Sequence, residues 1–98
     1  MYELRQTEVF HDWLTNLVDL RAKARIQARI DRLALGNPGD TKLIGNGIRE
    51  LRIDSGPGYR VYYVRRGRVL VILLCGGDKG SQSKDITRAR LLAARLEE

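Results

Sequence analysis

Ile48-Arg-Glu-Leu-Arg-Ile53, Tyr59-Arg-Val-Tyr-Tyr-Val-Arg65 and Val69-Leu-Val-Ile-Leu-Leu-Cys75 follow one another with only short breaks. In the first segment Leu51 and Ile53 alternate with Glu50, Arg52 and Asp54, the period of a half-buried strand. Ser55-Gly56-Pro57-Gly58 is a turn, and Arg66-Gly67 is another. Three strands joined by two tight turns form an antiparallel meander. The last strand is apolar at every position, so it belongs in the interior of a sheet with both faces covered.

Upstream, Tyr2 to Arg5 reads as a short strand, and Thr7 is placed to cap a helix. Val9, Phe10, Trp13, Leu14, Leu17 and Val18 form one apolar stripe, so Trp13 is expected in the core. Asp19 can cap a second helix whose buried face is Ala22, Ile26, Ile30 and Leu33. Arg21, Arg25, Arg29 and Arg32 fall largely off that face. Gly36-Asn37-Pro38-Gly39 ends the helix, and residues 37–47 read as a polar, Gly-rich connection. The two helices, joined almost without a loop, should form an antiparallel hairpin over one face of the sheet. A third helix, from about Ser83 to Leu96, offers Ile86, Ala89, Leu92, Ala93 and Leu96 to cover the other face, a place a partner protein could also fill. The expected order is β-α-α-β-β-β-α, an α+β domain with helices on an antiparallel sheet.

The 98 residues suffice for a single domain, 1–98, with one core. The longest apolar run, Val69 to Cys75, is too short to span a bilayer, and the N-terminus lacks the apolar stretch of a signal peptide. No membrane association and a cytoplasmic location are the expectation. The single Cys75 allows no internal disulfide and reads as a buried thiol. With His11 as the one histidine, the chain has no zinc-ligand set. No metal and no cofactor are expected.

The net charge of +6 is uneven. Residues 1–20 carry a net −3, whereas residues 21–36 carry +4 and residues 42–68 carry +5. That footprint suits a polyanion on one side of the molecule. Arg52 and Arg60 sit inside adjacent strands, and the parity of each could bring them onto one face. Guanidinium groups are planar and permanently charged, and their fork matches phosphate. Arg52 could equally pair with Glu50 or Asp54 across or along the sheet, while Arg60 has no acid beside it in its own strand. Tyr62 shares the parity of Arg60 and could stack on a base or pass a proton; Tyr59 and Tyr63 read as strand residues. Gly76-Gly77-Asp78-Lys79-Gly80 reads as a loop leaving the last strand, with Lys79 a mobile charge and Ser81 or Ser83 capping the helix beyond. The spacing is not that of a P-loop. His11 lies beside the apolar stripe, away from the basic sheet.

Taken together, Gly-Asn-Gly-Ile-Arg-Glu-Leu-Arg-Ile, Gly-Pro-Gly-Tyr-Arg-Val-Tyr-Tyr and Gly-Gly-Asp-Lys-Gly-Ser-Gln-Ser-Lys-Asp-Ile resemble the RelE/ParE toxin superfamily of bacterial toxin–antitoxin modules. Within it they resemble the addiction module killer proteins, akin to HigB-type toxins, and the resemblance covers essentially the whole chain. It implies two helices packed on a curved antiparallel sheet. It also implies ribosome-dependent, metal-free cleavage of mRNA by attack of a 2′-OH on the adjacent phosphate. Arg60 would stabilise the transition state, with Lys79 and Tyr62 the further catalytic candidates. Arg49, Arg52 and Arg65 would bind RNA phosphate. The implied partners are the ribosome and mRNA, a cognate helix-turn-helix antitoxin, and operator DNA only through that antitoxin. Lys84 to Glu98 holds neither the tyrosine nor the histidine that some relatives carry late in the chain. The superfamily's ParE-type members, which inhibit DNA gyrase without cutting RNA, therefore supply an alternative function.

Overall fold

The computed structural model, described for residues 1–96, is an α+β fold of five strands and three α-helices. In chain order these are β1 (Glu3–Gln6), α1 (Glu8–Thr15), α2 (Leu20–Ala34), β2 (Thr41–Gly45), β3 (Ile48–Ile53), β4 (Tyr59–Arg66), β5 (Leu70–Asp78) and α3 (Gln82–Arg95). A single 3₁₀ turn, Lys79–Ser81, joins β5 to α3. The five strands form one sheet in the order β1-β5-β4-β3-β2. Among the described residues no helix is long and apolar enough to cross a membrane.

Several features depart from the sequence expectation. Residues 37–47 are not merely a connection, because Thr41–Gly45 adds an edge strand antiparallel to β3. Asn46 and Gly47, with φ of 53° and 76°, turn β2 directly into β3. Positive φ at both central residues is the type I′ hairpin geometry that Asn-Gly favours. Only five residues long and bounded by glycines, β2 shows too little alternation to be read as a strand. The second departure is β1, which pairs parallel with β5, Glu3 opposite Leu70 through Gln6 opposite Leu73. The sheet is therefore mixed. The apolar strand β5 is interior, as its composition demands, but the middle of the sheet is β4.

Both faces are covered. Leu51, Ile53, Val61, Tyr63, Val71 and Leu73 meet Phe10 of α1 and Ala22, Ile26, Ile30 and Leu33 of α2. Ile48, Tyr62, Val64, Ile72, Leu74 and Cys75 meet Ala89 and Ala93 of α3 on the opposite face. Each fully buried large aliphatic side chain here is worth roughly 1.5–3 kcal/mol of transfer free energy. The small alanines of α3 let the helix sit close to the strands.

Leu74 and Cys75 are adjacent in sequence yet share the α3 face. Tyr62 pairs with Cys75 and Tyr63 with Leu73, so β5 carries an extra residue at this point, a β-bulge. The bulged carbonyl of Leu74 accepts the hydroxyl of Thr7, while the Leu73 carbonyl accepts the Thr7 N–H at 3.0 Å. Thr7 also caps α1 by accepting the Phe10 N–H at 3.0 Å. One residue thus ends β1, starts α1 and fixes the bulge. Asp19 caps α2 by accepting the Arg21 and Ala22 N–H groups, each at 3.1 Å.

Past the bulge, β5 extends to Asp78 and takes in Gly76 and Gly77, which the sequence suggested were loop. They are glycines because their neighbours occupy the space of a side chain. A Cβ on Gly76 would overlap the indole of Trp13, and one on Gly77 would overlap the Asp85 carboxylate. Trp13 is only half-buried, not the core residue its stripe implied; it lies on Gly76 and meets Tyr59 edge to face at 6.2 Å. Gly76→Ala is expected to displace the indole and cost about 1–3 kcal/mol, the usual penalty of overpacking. Urea unfolding of the two proteins measures that difference.

Candidate functional site

The strand register brings the predicted arginines together. Arg52 lies directly opposite Arg60, and Glu50 directly opposite Tyr62, on the face of the sheet that α3 covers. Two like charges face to face in adjacent strands repel unless something neutralises them. That something is Glu50, 1 % exposed. Its Oε1 lies 3.8 Å from Arg60 Nε and 4.0 Å from Arg52 Nε. Its Oε2 accepts the Tyr62 hydroxyl at 3.1 Å and the Gln82 side-chain N–H at 2.7 Å. The sequence showed no acid beside Arg60 because the acid stands one strand away.

Arg60 is mostly buried and held from a second side. Its Nη1 donates to the carbonyls of Gly58 and Tyr59, each at 3.1 Å. Arg52 Nε is also 3.4 Å from Asp40 Oδ1. Asp40 and Arg52 are fixed in turn by Arg29 of α2, whose guanidinium donates to the backbone carbonyls of Arg52, Pro38 and Asp40. Arg29 is therefore a structural clamp rather than a member of a solvated basic face. The Gly39 backbone passes close beside this guanidinium, with φ of 70°.

Above this network opens a cleft of about 370 Å³, lined by Arg52, Arg60, Lys79, Asp40, Asp54 and the Gly56–Gly58 turn. Lys79 reaches it because the 3₁₀ turn is rigidly capped. Asp78 accepts the Gly80 N–H at 2.8 Å and the Ser81 N–H at 3.2 Å, and its own N–H donates to Ser81 Oγ. Ser81 stands at the N-cap of α3, one of the two positions expected, but its hydroxyl turns to Asp85 rather than to the helix N–H groups, and Asp78 caps only the 3₁₀ turn. Gly58, with φ of 81°, lets the turn pass between the Arg60 guanidinium and the Lys79 stem. Among the described residues no acid pairs with the Lys79 ammonium, and Arg60 Nη2 makes no hydrogen bond. Three cations thus converge on a cleft with donor capacity to spare, the arrangement of an oxyanion site.

The other candidates lie elsewhere. Tyr62 is completely buried and does not line the cleft; burial and the neighbouring Glu50 push its hydroxyl pKa far up. Its visible role is to hold Glu50. Arg49 and Arg65 have the opposite strand parity from Arg52 and Arg60. They line a separate small pocket with Tyr2, Thr41 and Tyr63, where Arg65 Nη1 donates to the Tyr2 hydroxyl at 3.0 Å. Cys75 is buried, as expected, and burial with the nearby Asp85 raises its thiol from 9.0 to about 12. Among the described residues no cluster of three His, Cys, Asp or Glu side chains could hold a metal ion. Glu50 itself was missed as a site residue. Its parity with Arg52 was legible, but its depth under α3 was not.

Two outcomes follow from this geometry. Glu50→Ala strands buried guanidinium charge and is expected to lower stability by about 3 kcal/mol, the cost of breaking a buried pair, read from chemical denaturation. The thiol and phenol have folded pKa values above their unfolded ones, so their contribution is intact below about pH 9 and is lost as pH rises toward 12. Thermal melts from pH 8 upward should therefore fall steadily, and less steeply in Cys75→Ala.

The Phage derived protein Gp49-like (DUF891) family matches residues 12–96, a span that contains α2, the whole cleft and α3. An uncharacterized protein of Haemophilus influenzae is 57 % identical over 94 residues, covering 96 % of this chain and 95 % of that protein. The chain belongs to the phage-derived Gp49-like family, a family of RelE-like proteins that are commonly the toxins of toxin–antitoxin modules.

Proposed function

We propose that this protein is the toxin of a toxin–antitoxin module and that it cleaves mRNA on the ribosome without a metal ion, in the manner of HigB-type toxins. The observation that carries the reading is the convergence of Arg52, Arg60 and Lys79 on one cleft, with Arg60 immobilised from both sides. In such a reaction the 2′-oxygen attacks the adjacent phosphorus, the bond to the 5′-oxygen breaks, and a 2′,3′-cyclic phosphate is left. Charge grows on the phosphorane oxygens, and a preoriented guanidinium stabilises it at no cost in reorganisation. Arg60 fits that role. Arg52 neutralises the neighbouring phosphate, and Lys79 can protonate the departing 5′-oxygen. Of the two carboxylates in the cleft, Asp40 faces Arg52, which leaves Asp54 to accept the 2′-hydroxyl proton. Arg49 and Arg65, on the other face, would touch RNA phosphates outside the reacting step.

A ParE-like, non-cleaving inhibitor of DNA gyrase is the second reading. Tyr62 withdrawn from the cleft and the absence of tyrosine and histidine from residues 84–98 favour it. The cations would then dock a protein or nucleic-acid surface.

Brief induction in cells, followed by primer extension on translated messages and a supercoiling assay, separates the two. Codon-phased cuts support the ribonuclease; intact messages with blocked supercoiling support the gyrase inhibitor. In the ribonuclease, Arg60→Ala is expected to lower cleavage by about 10²–10³-fold, the usual cost of removing one oxyanion donor. Arg60→Lys should recover only part of that loss, because the ammonium keeps the charge but not the fork. Circular dichroism of both variants controls for folding.

A further inference from the structure

The negative end of the chain has no part in the cationic cleft. Residues 1–20 are net −3 in a protein of net +6, and three of their four acids, Glu8, Asp12 and Asp19, lie along α1 and its junction with α2. Val9 and Trp13 of α1, and Leu17 just beyond its end, follow one another at steps of four as an apolar row. Glu8 and Asp12 form the neighbouring row, also four apart. The apolar row and Asp12 border an open groove of about 720 Å³ that reaches Asp19, Tyr59 and Arg88. Val18 and Leu20, 91 % and 75 % exposed, extend the apolar surface around the α1–α2 junction. The groove and the cleft share no lining residue.

Single exposed apolar residues need no explanation, but a contiguous set beside a wide groove does. The rim selects its occupant by charge. Asp12 and Asp19 line it against the single cation Arg88. On a protein that repels basic partners elsewhere, this is where a basic segment is drawn in. We propose that the groove docks a basic, apolar-anchored segment of the antitoxin, its apolar side chains on Trp13, Leu17 and Val18 and its lysines or arginines against Asp12 and Asp19. The proposal rests on the toxin reading above. Docking here leaves the phosphate cleft unfilled, so the antitoxin would neutralise by obstructing approach to the target rather than by occupying the cationic site.

The test is isothermal titration of the purified antitoxin, encoded beside the toxin gene, into wild type, Asp12→Lys, Val18→Lys and Arg60→Ala. Both groove positions are exposed, so these variants should fold, and circular dichroism checks this. Asp12→Lys and Val18→Lys are each expected to weaken binding about tenfold or more, with a reduced salt dependence for Asp12→Lys. Arg60→Ala should bind like wild type. Unchanged affinity in both groove variants overturns the docking site while leaving the toxin reading intact. Weakening by Arg60→Ala instead would place the antitoxin in the cleft and equally overturn it. Failure of wild type to bind the antitoxin removes the module reading and this inference together. Self-association of the wild type that Asp12→Lys abolishes would make the groove's occupant a second copy of the chain, against the proposal.

Discussion

A carboxylate buried between two guanidinium groups is the interaction on which the site depends. Without Glu50, Arg52 would keep only the exposed Asp40, and Arg60 would face Arg52 across paired strands with no carboxylate of its own. Without the two arginines, a carboxylate at 1 % exposure would be a buried charge with no partner of opposite sign. Each charge is thus tolerated because of the others, and Tyr62 and Gln82 complete the carboxylate's hydrogen bonds from the strand and helix sides. Such an arrangement does little for net stability compared with an apolar core of the same volume. What it supplies is position. Arg60 cannot swing away, so its donors point where the fold puts them before any ligand arrives.

The fold was legible where the sequence pattern was long and one-sided. The stripe of α2, the three successive strands and the apolar character of β5 were each read from residues that are buried as expected. Thr7 and Asp19 cap their helices because a short acceptor side chain before a periodic run has few other uses. Strand β2 is hidden in the sequence, although Asn46-Gly47 is a strong hairpin signal, because its five residues lie among glycines and a proline that mark a loop. The parallel pairing of β1 with β5 was beyond reach for a different reason. It joins residues more than sixty positions apart, and no local pattern encodes which edge a short strand joins.

The site was legible in part. Parity put Arg52, Arg60 and Glu50 on one face, and register, which only the structure supplies, made them a cluster. Parity also separated Arg49 and Arg65 from that cluster, a distinction lost when they were grouped by charge alone. Lys79 comes near Arg60 through a capped turn and two glycines in β5. Those glycines looked like loop residues because the sequence does not show that Trp13 and Asp85 fill the space their side chains would need.

Arg29 gives the cleft a mechanical dependence on the helical layer. Its guanidinium, carried by α2, grips three backbone carbonyls and no anion, so its hold is not weakened by salt as an exposed ion pair would be. Two of those carbonyls belong to Asp40 and Arg52, whose side chains border the cleft. A small rotation or slide of α2 therefore drags the rim of the cleft with it, much as a lever moves its load. The width of the cleft is set from the far side of the sheet, by a helix that does not line it.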